Sequence, residues 1–185
     1  MKTKIRLKIK KIRAEMSHRE VAEKSKSAAQ LFLSSDFYKN AAQIMLYTQL
    51  GNETDTTDII SCAFADKKTL VFPITEVHSG IITPYYADEK TVFKKGNFSV
   101  SEPVGTQVAD MTKTDVILVP GIAFDKTGGR IGFGKGCYDR LLKNSAAVKI
   151  GYCYGFQLVD SIPCEPHDVK MDFIITENGI INCKN

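Results

Sequence analysis

The sequence predicts a single α/β domain, residues 1–185, with a largely parallel central sheet and helices on both of its faces. Short apolar runs alternate along the chain with segments of helical periodicity, which is the pattern of parallel strands joined by crossover helices. The 185 residues have an ordinary apolar content of 43%, enough for one domain with a real core. There is no internal repeat, low-complexity tract or linker, so no second domain is expected.

Two helices are predicted near the N-terminus. Apolar residues recur there at helical spacing: Ile5, Ile9, Ile12 and Met16. This periodicity predicts an amphipathic first helix. Ser17 and Glu20 have the spacing of a capping box, which predicts a second helix from about residue 18 to residue 32. The polar residues 34–36 are expected to interrupt it.

A strand, a third helix and a second strand are predicted next. Residues 43–47 form a short apolar run, typical of a buried strand. The polar residues 55–58 are a start signal for a helix that continues to about Ala65. Residues 69–72 predict another strand, which Pro73 is expected to stop.

The second half of the chain is predicted to complete the sheet. Residues 76–114 predict loops and short antiparallel strands, because Pro84 and Gly96 interrupt the apolar pieces. The strongly apolar residues 116–119 predict a buried strand that ends at Pro120. A helix is then predicted at 138–142, with strands at 149–154 and 173–176. Asn178-Gly179, between isoleucine-rich runs, predicts a hairpin.

Composition excludes several classes of protein. The cysteines are odd in number and lack C-x-x-C spacing: Cys62, Cys137, Cys153, Cys164 and Cys183. This pattern argues against a disulfide framework or a cysteine zinc site and predicts a cytoplasmic location. No apolar run approaches the roughly 18 residues of a membrane span, so no membrane association is expected. The net charge of +4 is too small to indicate nucleic-acid binding.

Basic residues crowd the first thirteen positions: Lys2, Lys4, Arg6, Lys8, Lys10, Lys11 and Arg13. One interpretation is the solvated face of the first helix, which is what a run of charges usually means. The other is an anion-binding surface. The sequence leaves both open.

A glycine-rich segment follows the predicted strand 116–119. Five glycines fall within nine residues: Gly128, Gly129, Gly132, Gly134 and Gly136. Glycine allows positive φ angles, so consecutive N–H groups can converge on phosphate oxygens, and Arg130 and Lys135 add positive charge. A predicted helix starts directly afterwards. The segment lacks the Ser/Thr of a Walker A motif, so it predicts a phosphate site of another class; the alternative is a glycine-rich surface turn.

The same segment carries a long family signature. It resembles that of the 5-formyltetrahydrofolate cyclo-ligases, roughly P-G-x-x-F-D-x-x-G-x-R-x-G-x-G-x-G-x-Y-D. The matching residues are Pro120, Gly121, Phe124, Asp125, Gly128, Arg130, Gly132, Gly134, Gly136, Tyr138 and Asp139. Similarity continues outside it, in Lys2 and Arg6, in Tyr47 and Glu53, and in His167-Asp168 before Phe173.

The resemblance implies ATP-dependent cyclisation of 5-formyltetrahydrofolate, with or without a polyglutamate tail, to 5,10-methenyltetrahydrofolate. ATP is then a co-substrate and Mg²⁺ its metal, and no obligate protein partner is expected. The ATP site would comprise Lys2, Arg6, Arg130, Ile131, Gly132, Phe133, Gly134, Lys135, Gly136, Cys137 and Tyr138. Arg130 and Lys135 would stabilise the transferring phosphoryl group. The folate site would include Thr48, Glu53, Phe133 and Tyr138, and the metal ligands would be Asp139 and, as a weaker candidate, Asp168.

Two positions depart from the family pattern. Cys137 stands where the family usually has an aromatic residue, and Phe133 replaces a common Tyr or Arg. The missing ring at position 137 is expected to weaken stacking on the folate and to change affinity more than reaction class. Two other functions compete: a nucleotide-binding module without turnover, and a hydrolase that uses Cys137 as its nucleophile.

Overall fold

The computed structural model describes residues 1–96 and 100–184. The twelve strands of these residues are β1 Gln43–Met45, β2 Thr69–Thr75, β3 Ile82–Ala87, β4 Val92–Lys95, β5 Ser101–Val104, β6 Val116–Val119, β7 Ala123–Asp125, β8 Arg130–Ile131, β9 Val148–Tyr152, β10 Leu158–Val159, β11 Phe173–Thr176 and β12 Gly179–Asn182. Seven of them form the central sheet in the order β12-β11-β9-β6-β1-β2-β3. The five inner strands are parallel to one another, and both edge strands pair antiparallel. The predicted fold class is confirmed.

Five α-helices accompany the sheet: α1 Lys2–Ala14, α2 His18–Ser34, α3 Asp36–Asn40, α4 Thr57–Ala65 and α5 Cys137–Leu142. The predicted capping box starts α2, since the Ser17 side chain accepts from the Glu20 N–H and Glu20 accepts from the Ser17 N–H. Within the described residues, no helix is long and apolar enough to cross a membrane.

Alternate residues of the inner strands point to opposite faces, and each face has its own apolar core. Ile44 and Leu46 pack on one face with Phe32 of α2. Met45 packs on the other face with Leu142 of α5. A third, smaller cluster joins Ile9 of α1 to the residues beside β7 and β8. Helices therefore cover both faces, as the apolar runs predicted.

The prediction that Pro73 ends the second strand was wrong. β2 continues to Thr75, and Pro73 lies opposite Pro84 of β3. The Leu46 N–H donates to the Val71 carbonyl, so the polar backbone groups of Val71 point towards β1. Pro73 lies two residues further along β2, and its backbone therefore points to the same side. β1 has already ended there, and hence no N–H is needed at Pro73.

The middle of the chain forms the predicted antiparallel pieces. β4 and β5 make a two-stranded ribbon outside the main sheet. β7 and β8 form a second hairpin, which pairs with β10 in a three-stranded sheet. The Asn178-Gly179 hairpin is confirmed, because Thr176 pairs with Gly179 where β11 turns into β12. The glycine-rich segment begins in the turn of the β7–β8 hairpin and continues from β8 to α5.

Candidate active site

A cleft of about 430 Å³ opens at the carboxyl ends of the central parallel strands. Tyr47 follows β1, Thr75 ends β2 and Pro120 follows β6, and all three lie on its wall. Residues of α1 and of the glycine-rich loop, defined as residues 126–136, also line it. Ligands of open α/β sheets bind at this edge. Every residue that the sequence predicted for the ATP, folate and metal sites lies on this cleft.

Asp125 anchors the start of the glycine-rich loop. Its carboxylate is buried and accepts from Thr127 N–H and O–H, from Gly129 N–H at 3.0 Å and from Ile162 N–H at 2.7 Å. Burial would raise the pKa of Asp125, but the hydrogen bonds from Thr127, Gly129 and Ile162 outweigh it, so the pKa lies below its ordinary value of 3.8. The signature aspartate is therefore an ionised anchor for the loop backbone.

We expect Asp125→Asn to lower the free energy of unfolding by about 3 kcal/mol, because the amide presents a donor where Oδ1 or Oδ2 now accepts. Urea denaturation measures this loss. Asp110→Asn is the matched control: Asp110 also accepts from the N–H and O–H of a residue two positions on, Thr112, but is exposed. An equal loss in both variants would contradict the anchoring role of Asp125.

The lowered pKa of Asp125 also predicts that the stability of the fold depends on pH in the acid range. A carboxylate whose pKa is lower in the folded state stabilises the fold above its ordinary pKa, and this stabilisation is lost as pH falls through the folded-state value. The stability of the wild-type chain should therefore decline below about pH 4 more steeply than that of Asp125→Asn. Thermal unfolding between pH 3 and pH 6 measures the difference.

The glycine-rich loop presents main-chain N–H groups at the cleft. Gly134 has a φ of +104° and Gly136 a φ of +62°, which side-chain-bearing residues rarely adopt. Within residues 1–96 and 100–184, the N–H groups of Gly132, Phe133, Gly134 and Gly136 donate to no protein acceptor. Unpaired donors beside a cleft are suited to anionic oxygens.

Arg130 lies on the cleft wall with only 5% of its side chain exposed. Its Nη2 donates to Asp139 Oδ2 at 3.0 Å, and its Nη1 donates to the Pro120 carbonyl at 3.3 Å. The guanidinium carbon lies 5.6 Å from the centroid of the Tyr138 ring. Its buried Nε has no acceptor within the described part of the chain. Arg130 thus links the end of β6, β8 and α5, and Asp139 balances part of its charge.

Some basic residues of α1 fit the interpretation as an anion-binding surface, and the others fit that of a solvated helix face. Lys2 Nζ donates to Asp168 Oδ2 at 2.6 Å, and Arg6 Nε donates to the Gly132 carbonyl at 3.0 Å, both beside the cleft. Burial would raise the pKa of Asp168, but the hydrogen bonds from Lys2 and the Glu165 N–H, together with the charge of Lys2, outweigh it, and the pKa is lowered. The other lysines of the run are exposed: Lys4, Lys8, Lys10 and Lys11. One face of α1 therefore supplies charge to the cleft, and the other is solvated.

Glu53 and Arg13 form a buried ion pair at the cleft. Arg13 Nη1 lies 3.4 Å from Glu53 Oε1, and Glu53 Oε2 accepts from the Leu50 N–H at 3.1 Å. Their side chains are 10% and 7% exposed. Burial raises the pKa of Glu53 above its ordinary value of 4.5, although Arg13 and the Leu50 N–H oppose the shift. The pair gives the cleft one carboxylate that the protein holds in a fixed position.

Aromatic side chains line the cleft beside this pair. Tyr47 donates its hydroxyl to the Thr54 carbonyl at 2.8 Å, which leaves its ring at the wall. Phe133 is 51% exposed, with Lys10 Nζ 5.5 Å and the Arg13 guanidinium 6.0 Å from its ring centroid. Tyr138 supplies a third ring. These rings offer flat apolar surface to a planar ligand.

Sequence reasoning missed Arg13, which pairs with Glu53, and several residues of the cleft wall. Arg13 was noticed only within the basic run, because nothing local connects it to Glu53 forty positions later. Glu102 of β5, Val100 just before that strand and Ile82 of β3 line the cleft. They come from the middle of the chain, which carries no recognisable motif, and only the pairing of β3 with β2 and the folding of the β4–β5 ribbon bring them here.

Comparisons with known proteins agree with this geometry. The model of the 5-formyltetrahydrofolate cyclo-ligase family matches residues 1–177. The chain belongs to this family. The 5-formyltetrahydrofolate cyclo-ligase of Haemophilus influenzae is 30% identical over 175 residues, which are 90% of this chain and 92% of that protein. The Mus musculus cyclo-ligase is 26% identical over 188 residues, 95% of this chain and 93% of that protein.

Solved structures of the family have the same fold. The 5,10-methenyltetrahydrofolate synthetase of Aquifex aeolicus superposes with a TM-score of 0.88 at 30% identity, over 100% of this chain and 93% of that one. The synthetase of Mycoplasma pneumoniae gives 0.75 at 26% identity, over 95% of this chain and 98% of that one. The resemblance drawn from the cyclo-ligase signature is confirmed, and the chain is a ligase by family.

Proposed function

We propose that this chain converts 5-formyltetrahydrofolate and ATP to 5,10-methenyltetrahydrofolate, ADP and phosphate, the formyl oxygen leaving in the phosphate. The observation that supports it is one cleft, in a cyclo-ligase family member, that combines a basic loop, four of whose N–H groups have no acceptor within the described residues, with a wall of aromatic rings and a fixed carboxylate. ATP would phosphorylate the formyl oxygen, folate N10 would attack the carbon, and phosphate would leave. Such a reaction needs positioning and charge neutralisation more than a protein nucleophile.

The phosphate half of the cleft is formed by α1 and the glycine-rich loop. Lys2, Arg6 and Lys135 supply positive charge, and the N–H groups of Gly134 and Gly136 supply directed donors. The remaining proposed ATP contacts follow the loop: Arg130, Ile131, Gly132, Phe133, Cys137 and Tyr138. Because Arg130 is buried and paired with Asp139, its proposed role is to fix the loop and add positive potential behind it.

The folate half is formed by the loop after β1 and by the aromatic rings. Glu53 can accept hydrogen bonds from the N–H groups of a pterin, since Arg13 and Leu50 hold its carboxylate at the cleft. Thr48 donates its hydroxyl to the Ser101 carbonyl at 2.6 Å and so joins this loop to β5. Phe133 and Tyr138 provide ring surface. Of the exposed lysines of α1, Lys10, 5.5 Å from the Phe133 ring centroid, could meet a tail of glutamates on the folate.

Magnesium fits this site only as an ion that arrives with the nucleotide. Within residues 1–96 and 100–184, no three acidic, histidine or cysteine side chains could hold a metal together. Asp139 accepts from Arg130 through Oδ2 and from the Val169 N–H through Oδ1. Each oxygen keeps a second lone pair, so Asp139 can supply one bond to an ion otherwise held by phosphates and water. Asp168, paired with Lys2, is the weaker candidate.

We expect Asp139→Asn to raise the Mg²⁺ concentration for half-maximal turnover at least about tenfold, because a neutral amide is a poor ligand for a hard cation. A magnesium titration at saturating ATP measures it. Asp160→Asn, at an exposed acid away from the cleft, is the control. An unchanged titration for Asp139→Asn would exclude Asp139 as a metal ligand and limit its role to the ion pair with Arg130.

The direct test follows the absorbance of 5,10-methenyltetrahydrofolate when the chain is mixed with 5-formyltetrahydrofolate. Product should form only when ATP is present. Binding of ATP without product would instead identify the alternative, a nucleotide-binding module. Turnover without ATP that alkylation of Cys137 abolishes would identify the cysteine-dependent alternative. Neither alternative is favoured, because the members of the family are ligases.

A cytoplasmic location is proposed from the state of the cysteines. All five cysteines are free thiols, the state that a reducing cytoplasm maintains. The absence of an obligate protein partner stays a prediction from the sequence.

A further inference from the structure

Arg140 of α5 lies behind the glycine-rich loop and is not part of the cleft wall. Its Nη1 donates to the Lys135 carbonyl at 3.0 Å. Its Nη2 donates to the carbonyls of Gly80 at 2.8 Å and Ser79 at 3.2 Å, in the turn between β2 and β3. These three acceptors are all main-chain oxygens. One guanidinium therefore ties two separate backbone segments to each other.

The turn between β2 and β3 is shaped to receive this guanidinium. Gly80 has a φ of +65°, and a Cβ there would lie 2.7 Å from Arg140 Nη2 and 3.1 Å from Cys137 Sγ. The turn is held by its own hydrogen bonds, from Gly80 N–H to the Glu76 carbonyl and from Ile81 N–H to Ser79 Oγ. Arg140 thus links the loop to a preformed support.

The link fixes the orientation of one peptide in the loop. A trans peptide is planar, so its carbonyl and the following N–H point in opposite directions. Because Arg140, outside the cleft, holds the Lys135 carbonyl, the Gly136 N–H points to the other side. Gly136 lies on the cleft wall, and its N–H has no acceptor within the described residues. That orientation is the one a phosphate oxygen requires.

We infer that Arg140 is a positioning residue, which holds the Gly136 N–H towards the cleft and thereby sets the affinity of the loop for ATP. The inference rests on the proposed function, since ATP is taken as the ligand of the cleft. The effect comes from the fork of the guanidinium, which reaches carbonyls on two segments at once. A lysine ammonium keeps the charge but cannot reproduce that fork.

The test compares Arg140→Met, Arg140→Lys and Gly80→Ala with the wild-type chain. Calorimetric titration with ATP and Mg²⁺ measures affinity without turnover, and steady-state assays give KM for each substrate. We expect both Arg140 variants to weaken ATP binding at least about tenfold, while KM for 5-formyltetrahydrofolate changes less than about threefold. Gly80→Ala, which pushes the guanidinium aside from the turn, should weaken ATP binding in the same direction. Thermal unfolding confirms that each variant is folded, and Arg19→Met, at an exposed ion pair on α2, is the control.

Three results would overturn the inference. ATP affinity could be unchanged in a folded Arg140→Met variant. Arg140→Lys could restore wild-type affinity, which would assign the effect to charge. Binding of ATP and of 5-formyltetrahydrofolate could weaken equally, which would indicate general loss of the cleft. A wild-type chain that binds ATP but forms no methenyl product would contradict the proposed function and not the role of Arg140. The calorimetric comparison of ATP affinities would still test that role.

Discussion

Replacing Lys135 with alanine is expected to reduce turnover at saturating ATP at least about tenfold, because a charge beside a transferring phosphoryl group acts mainly in the transition state. Lys135 is exposed on the cleft wall, and its Nζ lies 3.4 Å from the Val77 carbonyl. That contact places the ammonium beside the turn between β2 and β3. The fold should be unaffected, since an exposed lysine contributes little to stability.

Two variants make the Lys135 test specific. Lys135→Arg keeps the charge and should retain more activity than Lys135→Ala. Lys126→Ala removes an exposed lysine from the same loop, away from the cleft, and should leave turnover unchanged. Measurements of kcat and of KM for ATP separate the transition-state effect from simple binding. A near-wild-type kcat for Lys135→Ala would exclude this ammonium from phosphoryl transfer.

Replacing Arg130 with alanine is expected to affect both stability and catalysis. The side chains of Arg130 and Asp139 are 5% and 17% exposed, so removal of the arginine leaves a largely buried carboxylate without its counter-ion. Breaking such a pair costs about 3–5 kcal/mol. Turnover should also fall at least about tenfold, because the loop loses the cation that fixes it and that adds potential behind the phosphates.

A double variant separates the two effects of Arg130. Arg130→Ala combined with Asp139→Asn removes both charges, so its unfolding free energy should exceed that expected if the losses of the two single variants were additive. Its turnover should stay low. The exposed pair of Arg19 and Glu23 is the control, and Arg19→Ala should cost less than about 1 kcal/mol. Additive losses would contradict a direct ion pair, and restored turnover would limit Arg130 to a structural role.

The predictions from sequence were most accurate where neighbours in the chain decide the structure. The periodicity of α1, the capping box of α2 and the hairpin at Asn178-Gly179 depend on residues within a few positions, and all three are present. The wrong prediction at Pro73 shows where local patterns fail. The effect of this proline on β2 depends on where β1 ends, and no local pattern contains that information.

The site follows the same division. The sequence alone determined the family and which loop residues line the cleft, because the signature is a continuous run of the chain. Only the tertiary structure paired Arg13 with Glu53 and Arg140 with the turn at Gly80. These partners lie 40 and 60 positions apart, and the packing of α1 and α5 decides whether they meet. An arginine could pair with many acceptors along the sequence, and only the folded structure brings Arg13 to Glu53 and Arg140 to Gly80.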